Sequence, residues 1–192
     1  MPKKKKTREQ LDQYDFIDED WIDHSSPDYI LAIGSFLIGF SSLEHALDLH
    51  LADQINDHAH DPGYQVIELL STRNKIDLFS RMCSLYLSWI NNTESKNKKE
   101  FGAIVQKLRD LNTFRNKLVH ANWMSVRRDG TVRTKVVIDD LEGTVQFERS
   151  KMTPKIINSK ADEMSALLEE MEEFFERGLD YEIPSELPPK TT

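Results

Sequence analysis

The sequence predicts a mainly α-helical fold: an antiparallel helical bundle with a small antiparallel β-meander inserted before the last helix. Three observations predict it. Apolar residues recur at steps of three, four and seven through most of the chain. From about residue 122 to 149 the period drops to two around an Asp129-Gly130 turn signal. A helical period then returns and runs to a terminating Gly178. With 192 residues, the chain is long enough for one domain with a proper core. The expected organisation is a polar extension at 1–27, a helical domain at 28–180, and a tail at 181–192 without fixed structure.

The extension opens with Lys3–Lys6 and becomes acidic, with Tyr14, Phe16, Ile17, Trp21 and Ile22 interleaved as anchors. Ser25-Ser26-Pro27-Asp28 is a helix-start signal. The first long helix is expected to run from there to about Asp57, on a stripe of Ile30, Ile33, Leu37, Phe40, Leu47 and Leu51. Glu44 occupies the missing place on that stripe, and a buried acid needs a partner. Gly34 and Gly39 would let another helix approach closely. His45, His50, His58 and His60 crowd this region, but they lack metal-ligand spacing and read as solvated histidines. Asp61-Pro62-Gly63 reads as a turn. A second helix is expected over about Gln65–Trp89, with Arg73 and Lys75 interrupting its apolar face. Residues 91–99 read as a polar loop. A third helix follows from about Lys98 to His120.

After it, the alternation of Trp123 to Arg127, Val132 to Ile138 and Thr144 to Glu148 predicts three strands. Thr153-Pro154 leads into a final helix over about Asn158–Arg177. Met164, Leu167, Leu168, Met171, Phe174 and Phe175 form its apolar face, opposite a row of glutamates.

The longest apolar run, Tyr29 to Phe40, is interrupted by Gly34, Ser35 and Gly39, so no membrane span is expected. The N-terminal lysines have no apolar run behind them, and the single Cys83 cannot form an internal disulfide. A cytoplasmic location follows as the default expectation. Net charge is −8, against a general nucleic-acid binder. The distribution qualifies that total. Residues 107–135 carry eight Lys/Arg against Asp110 and Asp129, a net of +6, whereas residues 161–186 carry ten acids against Arg177. A local basic patch can hold a phosphate backbone despite a negative total.

That basic stretch contains the segment Leu111-Asn112-Thr113-Phe114-Arg115-Asn116-Lys117-Leu118-Val119-His120. Ile104, Leu108, Leu111, Leu118 and Val119 make it amphipathic, and Arg115 falls on the apolar stripe. A guanidinium stays charged in a protein. Arg115 must therefore reach water, pair with an acid such as Glu44, or face a cavity that takes an anion. Asn116 and His120 are four apart and share a helix face. The same residues also fit a plain helix C-terminus, where cationic side chains meet the last carbonyls.

Arg115-Asn116-x-x-x-His120 resembles the R-x4-6-H signature of the HEPN superfamily, including its polar residue after the arginine. The resemblance implies a helical bundle, homodimerisation and metal-independent endoribonuclease activity. The biological setting it implies is a toxin–antitoxin or phage-defence system with an antitoxin partner. It also implies Arg115, His120 and Asn116 as catalytic residues. Glu44, from its place on the apolar stripe, is expected to meet Arg115 directly or across a dimer, either as a buried ion pair that fixes register or as a group that also orients Arg115. Arg73, Lys117, Arg127 and Arg128 are the expected RNA contacts, and Trp123 either stacks a base or packs on the bundle. Non-catalytic members of that superfamily bind RNA, nucleotides or protein partners.

No Walker motif, Rossmann glycine pattern, C-x-x-C or H-E-x-x-H is present, so no cofactor or metal is expected. Histidine, arginine and asparagine suit RNA cleavage without a metal, because the ribose 2′-OH is itself the nucleophile.

Overall fold

A computed structural model of the chain describes residues 8–10, 19–55, 60–89, 95–139 and 144–179. The N-terminal lysines, His58, the loop at 91–94, the connection at 140–143 and the tail after 179 lie outside them. The elements run β1 (Arg8–Gln10), α1 (Glu19–Ile55), α2 (His60–Ile67), α3 (Thr72–Trp89), α4 (Ser95–His120), a short 3-10 turn (Trp123–Ser125), β2 (Thr131–Asp139), β3 (Thr144–Lys151) and α5 (Pro154–Leu179). The protein is thus mainly helical, with a small antiparallel sheet before the last helix, as its periodicity predicts. It divides into two compact units. One comprises Met1–Phe40 with Thr113–Asp162, and the other Ser41–Asn112 with Glu163–Thr192.

The first unit holds the sheet. Its order is β1-β3-β2, all antiparallel. Two of the three expected strands form. The third expected strand, Trp123 to Arg127, is instead a 3-10 turn followed by an irregular stretch. The Trp123 indole donates to the Leu118 carbonyl at 3.0 Å, and its ring lies 5.7 Å from Tyr29. Those contacts fold the chain back on the end of α4, and Trp123 packs on the bundle. The sheet is completed from the other end of the sequence, by β1 in the polar extension. Arg127 and Thr131 close the turn at Asp129-Gly130, where Thr131 donates to Asp129 through both its backbone N–H and its hydroxyl. Those two hydrogen bonds hold the Asp129 carboxyl below its ordinary pKa.

α1 begins eight residues before the Pro27 start signal and carries Pro27 inside it. Phe40, Leu47 and Leu51 of the expected stripe are buried, but in the N-terminal half of the helix the buried face differs in register from it. Tyr29, Ala32, Phe36 and Phe40 are buried, whereas Ile30, Leu31 and Ile38 are 67%, 71% and 73% exposed. By length and composition His24–Ile55 is long and apolar enough to cross a membrane. This corrects the expectation of no such stretch. Gly34, Ser35 and Gly39 interrupt the run without adding charge.

In the second unit the expected helix over 65–89 is two helices. The Asp61-Pro62-Gly63 sequence lies in the first turn of α2, where proline is favoured. Gly63 is needed there for close approach, since a Cβ would stand 2.7 Å from the Ala52 backbone. α3 restarts behind Ser71, whose hydroxyl accepts from the Asn74 backbone N–H at 3.3 Å, an N-cap. Lys75, which interrupts the apolar face in the sequence, pairs with Asp48 at 2.8 Å with both side chains largely buried. An aromatic cluster fills the centre of this unit. Phe79 lies 5.6 Å from Phe101 and 5.7 Å from Phe175.

His50 stands at the edge of that cluster, 4.3 Å from the Phe175 ring, and is not the solvated histidine expected. Burial lowers its pKa, against the opposing pull of Asp53 and Glu172. A histidine with a lowered folded-state pKa favours the fold above its unfolded pKa of about 6.5 and loses that contribution as pH falls below it. Urea midpoints at pH 7.5 and pH 5.5 should therefore show the native protein weakening on acidification. His50→Gln should shrink that difference, and an undiminished difference would assign it to other groups.

Candidate nucleic-acid interface

The C-terminal turns of α4 bring the predicted motif into the first unit. Leu118 anchors the helix inward and is 1% exposed. Arg115, on the same stripe one turn earlier, resolves its three options in a fourth way. It is half-buried with its guanidinium 5.8 Å from the centre of the Phe40 ring, within cation–π range. Its Nη1 donates to Asn116 Oδ1 at 3.2 Å. Next to it, Phe114 packs edge-on to Phe36 at 5.2 Å.

His120 is the last residue of α4 and is exposed. It lines a groove of about 230 Å³ with Asn122, Arg133, Thr134, Lys135, Val136 and Phe147. Short-range hydrogen bonds hold this place together. Asn122 donates its backbone N–H to the Arg133 carbonyl at 2.9 Å, bridging helix end to strand. The Ser125 hydroxyl accepts from the Arg133 N–H at 3.0 Å and donates to the Asn122 carbonyl at 2.6 Å. The Arg133 guanidinium lies 4.3 Å from the centre of the Phe147 ring, a second cation–π contact. A register shift between Arg133 and Lys135 marks a β-bulge, a device that re-aims side chains at sheet edges.

The groove therefore carries an imidazole, a guanidinium, an ammonium and an amide, with the buried Phe147 behind them. Cationic donors of this kind suit an anionic ligand with phosphate-like oxygens. Histidine can exchange a proton near neutral pH.

The structure brings together only part of the expected site. Arg115 and Asn116 meet each other but do not line the groove. Lys117, Arg127 and Arg128 are exposed and also stand outside its lining. Glu44 and Arg73 belong to the second unit. Glu44 accepts from the Thr72 hydroxyl at 2.5 Å, so its partner there is a hydroxyl where the sequence pointed to Arg115. The groove adds Asn122, Arg133, Lys135 and Phe147. A signal for two of these was present in the sequence, where Arg133 and Lys135 fall in one basic strand segment, although the β-bulge between them breaks the alternation that would put them on one face. They belong to the basic stretch 107–135 and to the expected strands that begin directly after His120, but the sequence does not say which of those cations comes to the histidine.

Cys83 is buried and takes a hydrogen bond from Gln54 Nε2 at 3.1 Å; burial pushes its thiol pKa up to about 11. It is a core residue rather than a nucleophile. Among the described residues no three His, Cys, Asp or Glu side chains group as a metal site.

Comparison with known proteins finds no matching family model, curated protein or solved structure.

Proposed function

We propose that the protein is a metal-independent endoribonuclease, with the His120 groove as the place where RNA is held and cut. The observation that carries this reading is the shared groove of His120, Arg133 and Lys135. The resemblance of Arg115-Asn116-x-x-x-His120 to the HEPN signature supports it and supplies the toxin–antitoxin or phage-defence setting, with a protein antitoxin as partner.

In this reading Arg133 and Lys135 hold the non-bridging oxygens of a phosphodiester. The 2′-oxygen loses its proton to a base and bonds to phosphorus. The P–O5′ bond breaks, and the leaving 5′-oxygen takes a proton from an acid. The products are a 2′,3′-cyclic phosphate and a 5′-hydroxyl. His120 performs one proton transfer, and the second histidine comes from another copy of the chain, so the active form is a homodimer. Arg115 and Asn116 position the end of α4 against Phe40.

A second reading has one observation in its favour. Arg115 lies on Phe40 and outside the groove, which fits a module that binds RNA, a nucleotide or a protein partner without cutting.

The test is RNA cleavage in EDTA, with binding measured in parallel, for the native protein and for folded His120→Ala, Arg133→Ala and Arg115→Ala variants. The nuclease reading expects cyclic-phosphate ends from the native protein and none from His120→Ala. It also expects weaker, more salt-sensitive RNA binding after Arg133→Ala, and resistance of DNA. Retention of RNA uncut supports the binding module. Cleavage unchanged by His120→Ala removes the groove from the chemistry.

A further inference from the structure

Another cavity, of about 650 Å³, shares no lining residue with the His120 groove. Its walls come from α1 and the first turns of α5, all within the first unit. Asp28, Leu31 and Ala32 are spaced three and four apart and share one face of α1. Behind Pro154, the residues Lys155, Asn158, Ser159 and Asp162 stand at i, i+3, i+4 and i+7 and share one face of α5. The volume falls in the range of small-ligand sites, about 300–1,000 Å³.

Five polar side chains converge on this place. Among the described residues, none of the five is engaged in a hydrogen bond or an ion pair. Elsewhere in the molecule cations close on acids: Lys75 on Asp48, Lys107 on Glu170 and Arg109 on Asp77. In the cavity the charges stay apart. Lys155 and Asp162 are separated by about 10 Å along the helix axis, so a molecule laid along this face can touch both.

The charges select that molecule. Two carboxylates against one ammonium disfavour a simple anion. The start of α5 adds little for an anion either. Pro154 has no N–H, and Thr153 accepts from the Ile156 N–H through its hydroxyl and from the Ile157 N–H through its carbonyl. A simple cation would leave Lys155 facing a like charge. The complement, group for group, is a molecule with two cationic groups and one carboxylate. Leu31, 71% exposed, and Pro154 give the wall an apolar surface along which an alkyl stem can lie. A carboxylate and cations carried on the two ends of such a stem describe a basic α-amino acid.

We infer that this cavity is a binding site for a free basic amino acid, arginine or lysine. Its carboxylate pairs with Lys155. Its side-chain cation pairs with Asp162, at the far end of the helix face, and its α-ammonium with Asp28. Asn158 and Ser159 supply neutral hydrogen bonds between them. The inference stands on this cavity alone and does not need the nuclease reading.

Isothermal titration calorimetry of the full chain tests it, with circular dichroism confirming that each variant folds. L-Arginine or L-lysine should bind saturably, with a Kd of about 1 mM or tighter, and L-glutamate should not bind. Asp162→Asn should weaken binding of the amino acid about tenfold or more, the loss of one charge-assisted contact. Agmatine, which is arginine without its carboxylate, should bind the native protein more weakly than arginine. Lys155→Gln should bring arginine down to the level of agmatine and leave agmatine no weaker. No saturable heat from either amino acid up to roughly 10 mM would overturn the inference. So would binding indifferent to Asp162→Asn. Agmatine bound as tightly as arginine would overturn it in favour of a plain cation site. Glutamate bound as tightly as arginine would overturn it in favour of an anion site at the start of α5.

Discussion

Phe79→Ala should lower the stability of the protein by about 3–5 kcal/mol, the range for emptying a buried aromatic site. Phe79 is fully buried. Its ring touches partners from three directions: Phe101 at 5.6 Å, Phe175 at 5.7 Å and His50 at 6.5 Å. These come from α4, α5 and α1, so no single helix can shift to fill the void. The loss combines the transfer of the ring to water with a cavity its neighbours cannot close. Urea denaturation measures it. Phe79→Leu, which keeps most of the volume, should lose clearly less. A loss under about 1 kcal/mol for the alanine variant would show that the cluster collapses onto the space, and the aromatic packing would then not be what holds this unit.

The second large effect is expected at Gly130. Its φ of +77° lies in the left-handed region, which costs other residues about 1–3 kcal/mol. Space is short as well: a Cβ there would stand 2.4 Å from Thr153 Cγ2 and 3.3 Å from the Tyr29 hydroxyl. The backbone cannot readily retreat. The Gly130 N–H donates to the Arg127 carbonyl at 2.8 Å, and the Gly130 carbonyl accepts from the Met152 N–H at 2.8 Å. Gly130→Ala should therefore destabilise by at least the conformational cost. A second variant separates the two causes. Thr153→Ser removes the clashing methyl and keeps the hydroxyl that accepts from the Ile156 N–H. Combined with Gly130→Ala, it should recover the steric part and leave the conformational part. No loss on Gly130→Ala, read by thermal or urea unfolding, would mean that the turn adopts another geometry.

His120 was legible because a histidine five residues after an arginine, at the end of an amphipathic stripe, is a pattern within one element. Its groove was not legible in the same way. Arg133, Lys135 and Phe147 reach His120 through the Asn122–Arg133 bridge and the pairing of β2 with β3. Those contacts join residues distant in sequence. Arg115 shows the converse limit: its place on the stripe correctly required an answer, but the chain supplied an aromatic face where an acid seemed the natural partner.

The helical class, the sheet before the last helix and the inward stripe of α4 follow from local period alone. Ile104, Leu108, Leu111 and Leu118 are buried as that period requires, whereas Val119, also counted on the stripe, is 44% exposed. Local pattern also contained the turn at Gly130, whereas the cap at Ser71 that divides the expected helix over 65–89 was not read from it. The register of α1 was decided elsewhere. Its N-terminal half is apolar around most of its circumference, so the period does not choose between Phe36 and Ile38; packing within the unit buries the first and exposes the second. Tertiary structure likewise replaced an expected strand at Trp123 with a turn, because its indole finds the Leu118 carbonyl and its ring finds Tyr29. The opposite edge of the sheet, along β3, is taken by Arg8–Gln10, more than a hundred residues away in sequence. A strand's hydrogen-bonding groups accept any partner that the fold brings alongside, whereas a helix satisfies its own groups locally. That difference separates what this chain's local sequence determines from what its tertiary packing decides.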